Sequence, residues 1–276
     1  RYIRNYEPLK PYFQYMNTPE KGATMKELRR VAATEKMPAA MKLFMAKRKP
    51  VEEFYDLEND PHEIKNLAKD PAHQLILKRF RKVHQKWSTE TRDLGLIPEP
   101  EIVIREKKAG SRYDILAKTD DKTLLERLGR MALLASDGEK SLPELIKGLD
   151  DKDSGVRYWA AIGIGNTGEL SKKAKNACLK ILAEESSTVV RVATARALLR
   201  MKVEEERALL ELSKSLESPE EWSRLHAAIA LDEAEEQARP ALPSLQKALT
   251  KQPNKYIVRV ANKAVNDLLK TNNTVK

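Results

Sequence analysis

The chain has a single cysteine, Cys178, and four histidines among 276 residues. One cysteine excludes an internal disulfide framework and a cysteine-based zinc site. His62, His73, His84 and His226 are too few and too scattered for a metal site. His73 and His84 share a helical face at eleven-residue spacing, but no third ligand accompanies them. No apolar run approaches the ~20 residues that span a bilayer. The opening "RYIRNYEPLK" has no apolar stretch behind its charges and so is not a signal peptide. It lacks an initiator Met and begins inside an alternating pattern. The expectation is a part of a longer protein, with any compartment signal upstream.

What is present suits a folded soluble chain. Apolar residues are 41%, enough for a core, and charged residues 33%. The length gives room for one large or two ordinary domains. Net charge is +10, of which residues 1–100 carry +6 and the remainder +4. The cationic clusters are "MAKRKP" and "LKRFRKVHQK". A basic surface suits polyanions: nucleic acid, anionic membrane or sulfated glycan. A solvated helix face is the plainer reading.

Residues 1–95 read as a small, incomplete α+β unit. Tyr2 and Tyr6 alternate with Arg4, which predicts a short strand ending at Pro8. An aromatic, proline-bearing loop follows. Thr24 and Glu27 form a capping box for a helix over 24–35. Pro38 opens a second helix over 38–46. Pro50 then starts the strand "EEFYDL", with Phe54 and Leu57 apolar and Tyr55 on the other face. Asp60 caps a helical turn with Pro61 at its first position and Glu63 as a second capping box; Asp70-Pro71 repeats the device. The next helix carries Ile76, Phe80, Val83 and Trp87 as one apolar stripe. Two strands are no stable sheet on their own, so partner strands are expected from upstream. Residues 96–119, beginning "LIPEPEI", read as a linker.

Residues 120–276 repeat. "VRYWAAIGIG" starts at Val156, "VRVATARALL" at Val190, "SRLHAAIALD" at Ser223 and "VRVANKAVND" at Val258. Their arginines, Arg157, Arg191, Arg224 and Arg259, stand 34, 33 and 35 apart. "LPELIKGL" from Leu142 and "LPSLQKAL" from Leu242 match at the other helix of the pair. Each repeat is thus an Ala-rich helix followed by a Leu-striped one, and such pairs bury their apolar faces only by stacking. "TLLERLGRMALLAS" is a divergent capping helix. The period and the "VRxxAAxAL"-like core resemble HEAT repeats. The fold class is mainly α: a HEAT-like α-solenoid preceded by the α+β unit. Arginines at one structural position point to pairing with Asp or Glu between repeats, which disfavours a nucleic-acid groove.

"MPAAMKLFMAKRKPVEEFYDLENDPHEIKNLA", residues 37–68, resembles the C-terminal subdomain of the sulfatase family, similar to heparan N-sulfatase-like bacterial enzymes. "RYIRNY" resembles the strand that opens that subdomain. The resemblance covers roughly residues 1–95 and implies a small antiparallel sheet and helix set against a larger α/β catalytic domain. It also implies a hydrolase of sulfate esters or sulfamates on a glycan, with formylglycine and calcium in that catalytic domain. None of that chemistry maps here. Cys178 lies in "NACLKILAEE", and Ser141 in "SLPEL" has Leu145 where the C/S-x-P-x-R motif needs Arg. The Asp and Asn residues of "DLENDP" lack calcium-loop spacing and serve better as caps. Catalytic and metal residues are therefore expected to be none. Arg4, Tyr12, Gln14 and Tyr15 are candidates for the rim of a substrate cleft, with packing as the alternative for the tyrosines. The expected partners are the missing catalytic domain and a protein or sulfated polysaccharide on the repeats. The implied location is periplasmic or extracellular. The rivals are a non-enzymatic HEAT scaffold and a polyanion-binding protein.

Overall fold

The computed structural model describes residues 1–34, 36–168, 171–250 and 252–275. It divides into two compact units, residues 1–91 and 92–276. The fold is mainly helical, with fifteen α-helices and one two-stranded sheet among the described residues.

The first unit holds β1 (Tyr2–Arg4), α1 (Asn17–Lys21), α2 (Ala23–Ala32), α3 (Ala39–Phe44), β2 (Glu52–Phe54) and, after a 3-10 turn at Pro71–His73, α4 (Gln74–Glu90). The strands pair antiparallel, with Tyr2 opposite Phe54 and Arg4 opposite Glu52. Phe54, Leu67 and Leu77 form the core of this unit, with Tyr2 and Ala68 packed on it. Asp70 caps the 3-10 turn by accepting from the Ala72 amide at 2.9 Å, and Pro71 stands first, where its missing N–H costs nothing.

Several local expectations are corrected. β2 ends at Phe54, so Leu57 lies beyond it and is exposed. Thr24 falls inside α2, whose N-cap is Gly22, and residue 35 lies outside the described residues. Asp60 does not start a helical turn. Its carboxylate accepts from the amides of Ile64 and Lys65, and Glu63 takes a left-handed φ of 57° and pairs with Arg1. The stripe on α4 has the expected period but is not its buried face: Ile76, Val83 and Trp87 are exposed, Phe80 is partly exposed while its ring packs edge to face on Phe54, and Leu77 alone is buried.

Residues 96–119 are not a linker. They form α5 (Glu99–Ala109) and α6 (Arg112–Ala117) within the second unit, with Ile97, Ile102, Ile115 and Leu116 buried. Pro98 and Pro100 begin α5 instead of breaking the chain, since a first helical turn needs no donated N–H. Gly110, at φ 98°, ends it in the left-handed conformation that suits glycine.

The repeats follow as α7 (Leu124–Leu134), α8 (Leu142–Gly148), α9 (Ser154–Thr167), α10 (Lys172–Glu184), α11 (Thr188–Arg200), α12 (Glu205–Ser215), α13 (Glu221–Glu233), α14 (Leu242–Lys247) and α15 (Lys255–Leu269). α7, α9, α11, α13 and α15 pack in succession as one layer, and α8, α10, α12 and α14 pack against them as the second. Small residues set the close approach. Ala161, Ala195 and Ala228 are fully buried at equivalent places. A Cβ on Gly163 would meet the Ala135 Cα at 2.8 Å, and one on Gly165 the Ala197 Cα at 2.9 Å.

Candidate functional site

Successive strand residues point to opposite faces, so β2 sends Glu52 and Glu53 in opposite directions. Glu52 accepts from the Tyr2 hydroxyl at 2.7 Å and from Arg81 Nε at 2.8 Å, with Arg4 Nη1 at 3.7 Å. Burial alone would raise its carboxyl. The hydrogen bonds of Arg81 and Tyr2 and the charges of Arg81 and Arg4 outweigh it and hold the group below the usual carboxylate range. The Tyr2 phenol is pushed up by burial and by its bond to Glu52.

On the other face, Glu53 is 3% exposed and accepts from Asn5 Nδ2 at 2.6 Å and the Tyr55 hydroxyl at 2.5 Å. The Tyr12 hydroxyl also bonds it. Burial first, then Glu53, pushes the phenols of Tyr12 and Tyr55 up, so both stay protonated donors at neutral pH. These two tyrosines and Glu53 line a pocket of about 560 Å³ with Arg48, His62 and Asn66. The pocket is amphipathic: Leu43, Phe44 and Ile64 supply its apolar wall. Of the four rim candidates, the structure brings only Tyr12 to it. Arg4 belongs to the Glu52 cluster, Gln14 is exposed and Tyr15 is half-buried in the loop before α1. Glu53 and Tyr55, which build the pocket, were not singled out by sequence; their i, i+2 spacing on one strand face was the available signal.

Three donors on one carboxylate fix geometry but leave no free base. Nucleophiles fare no better. Cys178 is fully buried, and burial pushes its thiol up to about 12, far from the reactive thiolate. Ser141 is buried at the start of α8, and Leu145 is fully buried in the core. Among the described residues no group of three His, Cys, Asp or Glu side chains could hold a metal ion.

In the second unit the repeat arginines form a ladder. Arg157 donates from Nη1 to the Asp151 carbonyl at 2.8 Å and from Nη2 to Glu185 at 2.8 Å. Arg191 donates from Nη1 to the Glu185 carbonyl and from Nε to Glu211, both at 2.8 Å. Arg224 reaches the Ser218 carbonyl at 2.6 Å and Gln252 Oε1 at 2.9 Å. Each thus binds the loop six residues before it and a polar group further along the chain. Glu185 is 3% exposed at its side chain; burial would raise its carboxyl, and the bond from Arg157 holds it low. Arg127 plays the same part, on Asp121 and Asp151. It stands 30 residues before Arg157 and so escapes the 33–35 spacing. Arg259 ends the ladder over the Tyr256 ring at 6.0 Å, and its buried Nε has no hydrogen-bond partner among the described residues.

Comparison with known proteins gives two findings. The HEAT repeat family matches residues 113–198, from the start of α6 through α11. The chain is also similar to an "Ulvan-active sulfatase" of Formosa agariphila, 37% identical over 103 residues. Those residues are 37% of this chain and only 17% of that protein. Part of the chain is thus similar to part of a sulfatase, and residues 113–198 are similar to HEAT repeats. No helix among the described residues is long and apolar enough to cross a membrane.

Proposed function

We propose that this chain is the C-terminal part of a sulfatase, a sulfuric ester or sulfamate hydrolase of a sulfated glycan, joined to a HEAT-repeat interaction module. The observation that carries this reading is the 37% identity to the ulvan-active sulfatase. The α+β unit with its Glu52 and Glu53 clusters is the sulfatase-like piece. In this reading a catalytic domain outside this chain holds the nucleophile, with the calcium and formylglycine that the sulfatase resemblance implies. A polymer of the ulvan kind is the favoured substrate class, and an exported location, periplasmic or extracellular, follows from a polymer substrate. The repeats bind a protein or the polysaccharide itself.

The rival is a non-enzymatic HEAT scaffold or polyanion binder that shares only a structural subdomain with sulfatases. Expression of the complete reading frame that contains this chain separates the two. The expected outcome is inorganic sulfate released from ulvan or another sulfated polysaccharide, lost when the Cys or Ser of a C/S-x-P-x-R motif upstream is replaced by Ala. A reading frame without that motif, or one that releases no sulfate from any sulfated glycan, favours the scaffold.

A further inference from the structure

The arginine ladder is not uniform in charge. Arg127 meets Asp121 and Asp151, Arg157 meets Glu185, and Arg191 meets Glu211. Arg224, on the fourth rung, meets no carboxylate among the described residues. Its partner further along the chain is Gln252, and the two stand 28 residues apart, as Arg157 and Glu185 do. Gln252 thus holds the place of Glu185 with a neutral amide. The frame around the two rungs is otherwise alike: Lys180 pairs with Asp150, and Lys247 with Glu217, each 30 residues apart.

An amide in place of a carboxylate changes what the guanidinium can bond. In the Arg157 rung one carboxylate accepts from Nε at 2.5 Å and from Nη2 at 2.8 Å, a fork-to-fork pair. An amide has a single acceptor oxygen, and its NH2 group only donates. Gln252 Oε1 accepts from Arg224 Nε at 2.9 Å, and its Nε2 donates to the Leu216 carbonyl at 3.3 Å, which fixes the amide in that orientation. Arg224 Nη1 donates to the Ser218 and Pro219 carbonyls. Nη2 is left with no acceptor among the described residues. Arg224 lines a pocket of about 330 Å³ with Ser218, Ser244, Lys247 and Gln252, between the end of α12, the start of α13 and α14. Lys247 pairs only with Glu217 among the described residues, and both are about 60% exposed, so water screens that pair. Ser218 Oγ accepts from the Glu220 amide and keeps its own proton to donate.

We propose that the fourth rung is an oxyanion site for a sulfate group, carried by the polysaccharide as its ester or present as the free ion. The sulfate oxygens take the place that the Glu185 carboxylate holds in the Arg157 rung. Arg224 Nη2 donates to one oxygen, and Lys247 and the serine hydroxyls donate to the others. The guanidinium is already seated by its loop carbonyls, so little further ordering opposes binding. A volume of 330 Å³ lies at the lower end of ligand pockets, about 300–1,000 Å³, and admits a sugar ring together with its sulfate. The site rests on the reading of the repeats as a polysaccharide-binding module and names the group they would hold.

The test titrates the full, isotopically labelled chain at constant ionic strength with four probes: a sulfated ulvan disaccharide, its desulfated counterpart, sodium sulfate and sodium acetate. The readout is the amide shifts of residues 216–218 and 244. Saturable shifts are expected with the sulfated disaccharide, and binding at least tenfold weaker once its sulfate is removed. In Gln252→Glu the chain supplies the missing carboxylate itself, so binding is expected to fall at least tenfold while the thermal midpoint is not lowered. Lys247→Ala, at an exposed position, is expected to weaken binding at least threefold. Sodium sulfate that saturates the same amides as tightly as the disaccharide supports the site with the free ion as its source; weaker saturation supports it with the polymer as its source. Absence of saturation by either sulfate probe overturns the proposal. So does acetate or the desulfated sugar binding as tightly, or a Gln252→Glu chain that binds unchanged or unfolds. Sulfate release by the complete reading frame is measured separately, so the sulfatase reading and this site can each fail alone.

Discussion

At the scale of single residues, the ladder arginines offer the sharpest contrast between a charge that binds a ligand and one that binds its own chain. Arg157 is 16% exposed at its side chain and Glu185 3%, so the pair is shielded from solvent. Removing one partner of a buried pair strands the other charge and costs about 3–5 kcal/mol. Arg157→Ala is therefore expected to lower stability by about 3 kcal/mol at pH 7, read from urea unfolding. The pH dependence has a definite sign. Glu185 is held below its unfolded value of about 4.3, so the unfolded chain takes up the proton first as pH falls. The stabilisation is complete above that value and is lost as pH drops through the folded one. The gap between the two proteins should narrow between pH 7 and pH 3. A constant gap would place the arginine's contribution in packing alone. Gly163 tests approach and not charge. Gly163→Ala meets Ala135 backbone, which cannot rotate away, and is expected to cost ~1–3 kcal/mol by overpacking. Ala195→Leu, at a fully buried site of the next repeat, should cost a similar amount in a thermal melt.

At the scale of elements, the two units should differ in how they open. β1 and β2 are three residues each and, among the described residues, pair as strands only with one another; the other edge of β2 is held only by Asn66 and the Leu67 amide. α9 and α11 are buried along most of their length. Amides of Tyr2–Arg4 and Glu52–Phe54 are expected to exchange at least tenfold faster than those of α11; equal protection would show that the first unit is as cooperative as the repeats. The same elements show what sequence could reveal. The repeat helices were legible because Arg157, Arg191 and Arg224 recur at a nearly fixed period and because that period is the packing unit itself. The stripe on α4 was legible as period and not as burial, since the spacing of Ile76, Phe80, Val83 and Trp87 says nothing about what stands opposite. Residues 96–119 were misread because two prolines look alike in a linker and in the first turn of a helix. The partners that settle the matter, Ser154 and Ser187, are 53 and 86 residues from Glu101. The Glu53 pocket was illegible for a related reason: Asn5, Tyr12 and Tyr55 converge only after β1 and β2 pair.

At the scale of the whole molecule, charge and chemistry separate. The chain carries net +10, its one cysteine is fully buried, and its described residues hold no group of three potential metal ligands. Hydrolysis of a sulfate ester needs an activated nucleophile and a cation against the sulfate oxygens. The isolated chain is accordingly expected to show no turnover of a chromogenic sulfate ester, with or without calcium. Turnover that disappears in Cys178→Ala or Ser141→Ala would reveal a nucleophile in the repeats. Binding is a different matter. On α4, Lys78, Arg79 and Lys82 are exposed and have no acidic partner among the described residues, beside the exposed Phe80 and Trp87. Such a surface attracts a sulfated polymer over roughly a Debye length, ~8 Å at physiological salt and ~3 Å at 1 M. Retention on a sulfated-polysaccharide column should therefore fall steeply as salt rises. The variant K78A/R79A/K82A should elute at lower salt than the unmodified chain, with its thermal midpoint unchanged because exposed charges contribute little to stability. If the triple variant elutes with the unmodified chain, the polymer is held elsewhere, and α4 is a solvated face whose charge serves solubility alone.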